Sequence, residues 1–315
     1  MYRCLTFVVW SMCYLLHSKP YLKCSFRFLR IQWWGPGSRE DETLLNHIFT
    51  HPDLTVDNLE GQDEASKHYV ALFYETRGRI KESEGYSTHR VESDIAYICD
   101  AGYWDHANYF RIDGRPALFV YLTRALESMG LLKEVARTMR RVARACGQDI
   151  YLVGDHVFQE APTLSNDGSE NQNIFGNKQE NEDYLPHDDW MDAVTNYDVY
   201  GSMDSDNYHV GNANVDLYYE KQAEWKDWTY HHCPTCGFIP AVSPGYNDLG
   251  VRPEKRHRPL SRRLEEGSPE GSLFQAALDN AVYLVDKKAQ NLLMVNSFNG
   301  KKFNCCCPAG FCNCP

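Results

Sequence analysis

Seven short runs rich in β-branched and aromatic residues recur along the chain, separated by longer polar or helix-patterned stretches. They are Phe26 to Trp33, His68 to Tyr74, Ala117 to Tyr121, Ile150 to Gly154, Ala193 to Tyr197, Phe238 to Val242 and Leu292 to Phe298. Most are apolar throughout, without polar alternation, which is the pattern of strands covered on both faces in a parallel sheet. Helical patterns lie between several of them: Glu40 to His51, Leu122 to Cys146 with Leu131, Val135, Met139 and Val142 at helical spacing, Val215 to His232, and Leu273 to Ala289. Strand then helix, repeated, leaves two α/β architectures open, a (β/α) barrel or a doubly wound sheet.

Two features favour the barrel. No glycine-rich dinucleotide or phosphate turn follows any of the runs, so the usual reason for a doubly wound sheet is missing. Polar and aromatic residues also gather at the carboxyl ends of the runs: Trp33 and Trp34, Tyr74 and Glu75, Tyr121, Asp155 and His156, Asn196 and Tyr197, Ser243 to Asp248, and Asn296 to Asn299. In a barrel those ends converge on the face where the site is built. Aromatic faces for C–H surfaces, with donors and acceptors for hydroxyls, are what a sugar requires. A length of 315 residues and a hydrophobic fraction of 43% suffice for one such domain with a sizeable core.

The formal charge of -11 argues against a phosphate-backbone partner, and nucleic acid is excluded on that ground. Twelve cysteines are unevenly placed: Cys4, Cys13 and Cys24 precede the periodic region, five crowd the last eleven residues, and Cys99, Cys146, Cys233 and Cys236 lie between. That distribution is no disulfide framework for a core. Cys233 and Cys236 have zinc-knuckle spacing without a matching second pair, so a loop disulfide or two free thiols is the plainer reading. No cofactor and no metal site is expected. Residues 1–25 are read as a signal or anchor segment, Leu5 to Leu16 having the length of a signal-peptide core, or as a mis-assembled terminus. The barrel is expected over 26–300, with a polar, aperiodic insertion at about 158–189, and 301–315 is a cysteine-rich tail of no recognised type. The segment "RPEKRHRPLSRR", Arg252 to Arg263, is a basic strip that reads as a solvated loop or as an anion-binding surface.

Five motifs, in order, resemble glycoside hydrolase family 99, the endo-α-1,2-mannosidase family. They are "WWGPGSREDE" (Trp33 to Glu42), "NYFRIDGRPALFVY" (Asn108 to Tyr121), "DAVTNYDVYG" (Asp192 to Gly201), "FIPAVSPGYNDLGVRP" (Phe238 to Pro253) and "NSFN" (Asn296 to Asn299), across about 85% of the chain. The resemblance implies a (β/α)8 TIM barrel and hydrolysis of internal α-mannosidic bonds with retention. One glutamate deprotonates the sugar's own 2-hydroxyl, and a second protonates the leaving oxygen.

In the family both glutamates follow "NSFN"; here Gly300 stands at the first position and Phe303 at the second, so no catalytic carboxylate is assigned. The family's first strand is also unrecognisable. This leaves an open sheet edge unless the Leu5 to Leu16 run takes its place. By resemblance and by placement at the strand ends, the substrate-binding candidates are Trp33, Trp34, Glu75, Tyr121, Asp155, His156, Tyr197, Tyr246, Arg252 and Asn299. Trp33 is the more natural core residue of the tryptophan pair, since neighbours along a strand face opposite ways. Glu75 reads equally as a barrel-mouth residue paired with Arg77 or Arg79. The expected partner is a mannose-containing oligosaccharide or polysaccharide, with a membrane involved only if residues 5–16 act as an anchor. The expected location is the secretory pathway, in the Golgi membrane or outside the cell. A non-catalytic glycan-binding barrel is the alternative to a hydrolase.

Overall fold

In a computed structural model of the chain, residues 10–16, 23–51, 68–157, 190–197, 212–244 and 262–296 are described. The elements are β1 (Trp10–Leu16), β2 (Lys23–Trp33), α1 (Arg39–Thr43), β3 (Tyr69–Tyr74), α2 (His89–Asp100), β4 (Arg111–Ile112), β5 (Arg115–Val120), α3 (Thr123–Ser128), α4 (Leu132–Ala145), β6 (Tyr151–Asp155), β7 (Ala193–Thr195), α5 (Asn212–His232), β8 (Gly237–Ile239), β9 (Ala241–Val242), α6 (Ser272–Ala281) and β10 (Leu292–Val295). Each of the seven apolar runs contains a strand. The sixth run holds two, β8 and β9, divided at Pro240, which has no N–H to give to a ladder.

The fold is mixed α/β with a parallel sheet of seven strands, counting β8 and β9 as one. The path through the sheet is β8-β7-β6-β5-β3-β2-β1-β10-β9, so it begins and ends on the two halves of the Gly237 to Val242 segment. The edge that the sequence leaves open beside β2 is paired. There β1 lies between β2 and β10 and runs antiparallel to both, opposite in direction to the other members of that path.

Side chains alternate across the sheet as its pleat requires. On one face Phe28, Ala71, Phe73, Ala117, Phe119, Tyr151, Val153, Ala193, Ile239, Ala241, Leu292 and Met294 pack together. The intervening residues Ile31, Trp33, Val70, Leu72, Tyr74, Leu118, Val120, Leu152, Val194 and Phe238 pack on the other face against Val91, Ile95, Ile98, Val135, Met139, Trp225 and Trp228 of the helices. Both faces are therefore covered, which explains why most of the runs carry no polar alternation.

The helical pattern over Leu122 to Cys146 is two helices, α3 and α4, broken where Gly130 takes φ +70°. The hairpin β4–β5 turns at Asp113-Gly114, both with positive φ, as the tight two-residue turn of antiparallel strands requires. A disulfide joins Cys99 in α2 to Cys146 at the end of α4, and another closes Cys233 to Cys236. The second pair thus takes the loop-disulfide reading and offers no thiolates to zinc. Among the described residues no cluster of His, Cys, Asp and Glu is arranged to hold a metal ion, and no helix is long and apolar enough to cross a membrane. The insertion at 158–189, the basic strip from Arg252 to Ser261 and the cysteine-rich tail lie outside the described residues.

Candidate functional site

The carboxyl ends of the parallel strands bring a small set of polar side chains to one end of the sheet. Glu75 follows β3 and is 1% exposed; its Oε2 accepts a hydrogen bond from Gln32 Nε2 at 2.5 Å, and its Oε1 accepts the Arg77 backbone N–H at 3.0 Å. Burial pushes the Glu75 carboxyl above the ordinary carboxylate value, its hydrogen bonds and Arg77 pull the other way, and the charge of Asp155 adds to the rise. Arg79, the other expected partner of Glu75, is turned away. It holds Asp94 through two donors, one of them Nε at 2.6 Å.

Asp155 ends β6 fully buried. Its Oδ2 accepts the Leu122 backbone N–H at 3.1 Å and faces Arg124 Nη1 at 3.4 Å, while its Oδ1 accepts the Tyr197 N–H at 2.8 Å. One carboxylate therefore ties the chain just after Tyr121 to the chain at Tyr197. The two tyrosines are half-buried, their ring centroids lie 5.1 Å apart edge to face, and both rest on Phe73, Tyr197 stacked at 5.3 Å and Tyr121 edge-on at 5.4 Å.

Beneath this group lies Arg30 of β2, fully buried, its guanidinium carbon 3.9 Å from the Phe73 ring centroid, 5.2 Å from that of Phe119 and 5.9 Å from that of Tyr197. Burial lowers its pKa to about 9, against the opposing influence of Asp155 and Tyr197, and it stays cationic at neutral pH. Neither Arg30 nor Gln32 is among the expected site residues. The signal for both is the pattern at the end of "FRFLRIQW", where Arg30 and Gln32 alternate with the apolar Leu29, Ile31 and Trp33 and so share one face of β2.

Asn296 follows β10 and is also fully buried. Its Nδ2 donates to the carbonyls of Asn196 at 2.6 Å and Tyr197 at 2.8 Å, and its backbone N–H donates to Val242 O at 2.7 Å.

Other expected residues lie elsewhere. Trp33 is buried on the helix-facing side of the sheet, where its indole donates to Asp41 Oδ1 at 2.8 Å. Asp41 also accepts from the Gly37 backbone N–H and the Tyr97 hydroxyl, at 2.8 Å each, and from the Tyr103 hydroxyl. The "WWGPGSREDE" motif thus joins the end of β2 to the start of α1 and is cinched around one carboxylate. Trp34, 45% exposed, stands next to Gly78, where an added Cβ would lie 3.7 Å from its ring. Gly35 takes φ +107°, and a Cβ there would meet the Arg79 guanidinium at 2.7 Å, so the turn requires glycine. His156 points away from Asp155: its Nε2 is 2.8 Å from Glu127 Oε2, and its ring packs edge-on against Trp190 and Trp225. Tyr246, Arg252, Asn299, Gly300 and Phe303 lie outside the described residues.

No family model matches the sequence, and no curated protein matches it. Solved structures are similar to the chain at low identity. Two are of the GH99 endo-alpha-mannosidase from Bacteroides thetaiotaomicron, one of them in complex with bis-tris-propane. Both are 20% identical with a TM-score of 0.46 over 87% of this chain, and cover 66% and 62% of the solved chains. A third, described as a glycoside hydrolase-like protein, is 18% identical with a TM-score of 0.44 over 78% of this chain and 64% of its own. The chain spans less than two thirds of the length of each of these structures.

Proposed function

We propose that the chain is a glycoside hydrolase-like protein of the endo-α-mannosidase type, an eight-stranded (β/α) barrel that holds a mannose-containing glycan at the carboxyl ends of its strands. The observation that carries this reading is the grouping at one end of the sheet of Tyr121 and Tyr197 with Gln32 and Glu75, on a frame that Asp155 and Asn296 hold together. Aromatic rings offer faces to the C–H surfaces of a sugar, and carboxylates and amides are suited to hydroxyls. The five ordered motifs supply the family. Closure of the barrel is supported by the sheet path, which returns to the segment it started from.

Gly300 and Phe303 stand where the resemblance puts the acid and the base, so the reading for this chain is glycan retention without cleavage. Glu75 favours a second reading. Its carboxyl, raised by burial and sensitive to Asp155, has the character of a general acid. Residence in the secretory pathway is supported by the Cys99–Cys146 and Cys233–Cys236 disulfides, which persist in oxidising compartments.

One experiment separates the two readings. Purified protein is titrated with soluble yeast mannan by calorimetry, and the same mixture is assayed for new reducing ends. Saturable binding with no reducing ends is expected. Reducing ends that vanish in Glu75→Gln establish the second reading, and no heat of binding overturns both.

A further inference from the structure

Tyr197 is held at both of its backbone polar groups by side chains from two different strand ends. Its N–H goes to Asp155 Oδ1 at 2.8 Å, and its carbonyl receives Asn296 Nδ2 at 2.8 Å. The same Asn296 amide nitrogen reaches the preceding carbonyl, Asn196 O, at 2.6 Å, and the same Asp155 carboxylate reaches the Leu122 N–H, one residue past Tyr121. Asp155 and Asn296 are both fully buried. The two carbonyls also settle which way the Asn296 amide faces, because only its NH2 end can donate to them. Hydrogen bonds at both ends of one residue fix its backbone, and with it the direction of the Cα–Cβ bond from which the ring is hung. The ring of Tyr197 then lies on Phe73, with Tyr121 against its edge.

We propose that Asp155 and Asn296 are positioning residues which form a two-point clamp on Tyr197, and that they act on ligand binding through the Tyr121–Tyr197 pair without touching the ligand. This takes Asp155 out of direct contact with substrate and gives Asn296, at the end of the last strand, a mechanical role. The effect on affinity rests on the proposed glycan site, whereas the clamp itself does not.

The test uses the full chain with a fluorotyrosine incorporated at position 197, read by fluorine resonance, alongside calorimetric titration with soluble yeast mannan. Asn296→Asp sets a carboxylate against two carbonyls, and Asp155→Asn sets an amide N–H against one of the two N–H donors it now satisfies. Each variant is expected to shift and broaden the Tyr197 resonance and to weaken mannan binding about tenfold, the worth of one buried hydrogen bond to a charged or well-ordered group. In a Tyr197→Ala background, Asn296→Asp is expected to change affinity no further.

Thermal melts accompany each variant, and Arg115→Lys, at the Asp192 ion pair away from the clamp, is the control for destabilisation alone: its Tyr197 resonance is expected to stay in place. An unmoved, sharp Tyr197 signal in both Asn296→Asp and Asp155→Asn overturns the clamp. A further tenfold loss from Asn296→Asp in the Tyr197→Ala background shows direct ligand contact and overturns the positioning role. If mannan fails to bind the unmutated protein while the resonance shifts as expected, the glycan reading falls and the clamp stands.

Discussion

At the scale of single residues, Glu75 carries the sharpest consequence for pH. It is buried, and its folded carboxyl holds a proton more tightly than the ordinary value of 4.5 allows. Its contribution to stability is therefore fully present below that value and is lost as the pH rises through the higher folded value. Each tenfold difference in proton affinity between the folded and unfolded chain is worth about 1.4 kcal/mol. Denaturant midpoints measured from pH 4 to pH 8 are expected to show the unmutated protein losing ground to Glu75→Gln as pH rises. A constant difference across that range contradicts the burial of an ionisable group at this position. Glu75 and the tyrosines could be found in the sequence because they end apolar runs, where a barrel builds its site. Trp33 and His156 show the limit of that logic: the residue after or before a site residue faces the helices, and only the alternation within each strand separates the two sets.

The elements were legible where the pattern was apolar and periodic, and obscure where a polar residue sat inside the buried stripe. Each of the seven runs contains a strand, but α2 is not legible in the sequence although Val91, Ile95 and Ile98 have helical spacing. Asp94 interrupts that stripe, buried because it receives the Tyr74 hydroxyl at 2.8 Å and the Arg79 guanidinium. The Cys99–Cys146 bridge is hidden for a different reason: its partners are 47 residues apart, in α2 and just after α4, and spacing alone cannot pair them. Closing a loop of that size stabilises by about 2–4 kcal/mol, chiefly through the unfolded chain. Cys99→Ser is accordingly expected to lower the melting temperature by several degrees, and added reductant is expected to have much less effect on the variant than on the unmutated protein. An identical melt for the two proteins under oxidising conditions excludes the bridge.

For the molecule as a whole, the slot between β2 and β10 decides whether those two strands have free edges. β1 fills it and pairs on both sides, Ser11 with Leu29 and with Val295, Met12 with Phe28 and with Met294. Deleting residues 1–16 uncovers two edges at once, each a template for pairing with another chain. Size-exclusion chromatography of that deletion is expected to show multimers or aggregate in place of a single species, and a clean monomer of unchanged melting temperature rules out a structural role for β1. The opposed direction of β1 was not legible in the sequence, because an apolar run of that length fits a parallel strand, an antiparallel one or a signal core equally. The β1–β10 ladder joins residues 11–14 to residues 292–295, almost the full length of the chain apart. On the ribosome one side of β1 must therefore wait, unpaired, until residues 292–295 have been synthesised. A seam of such high contact order is slow to form, and until it forms the nascent chain carries a sticky margin that other nascent chains, or a chaperone, can reach first.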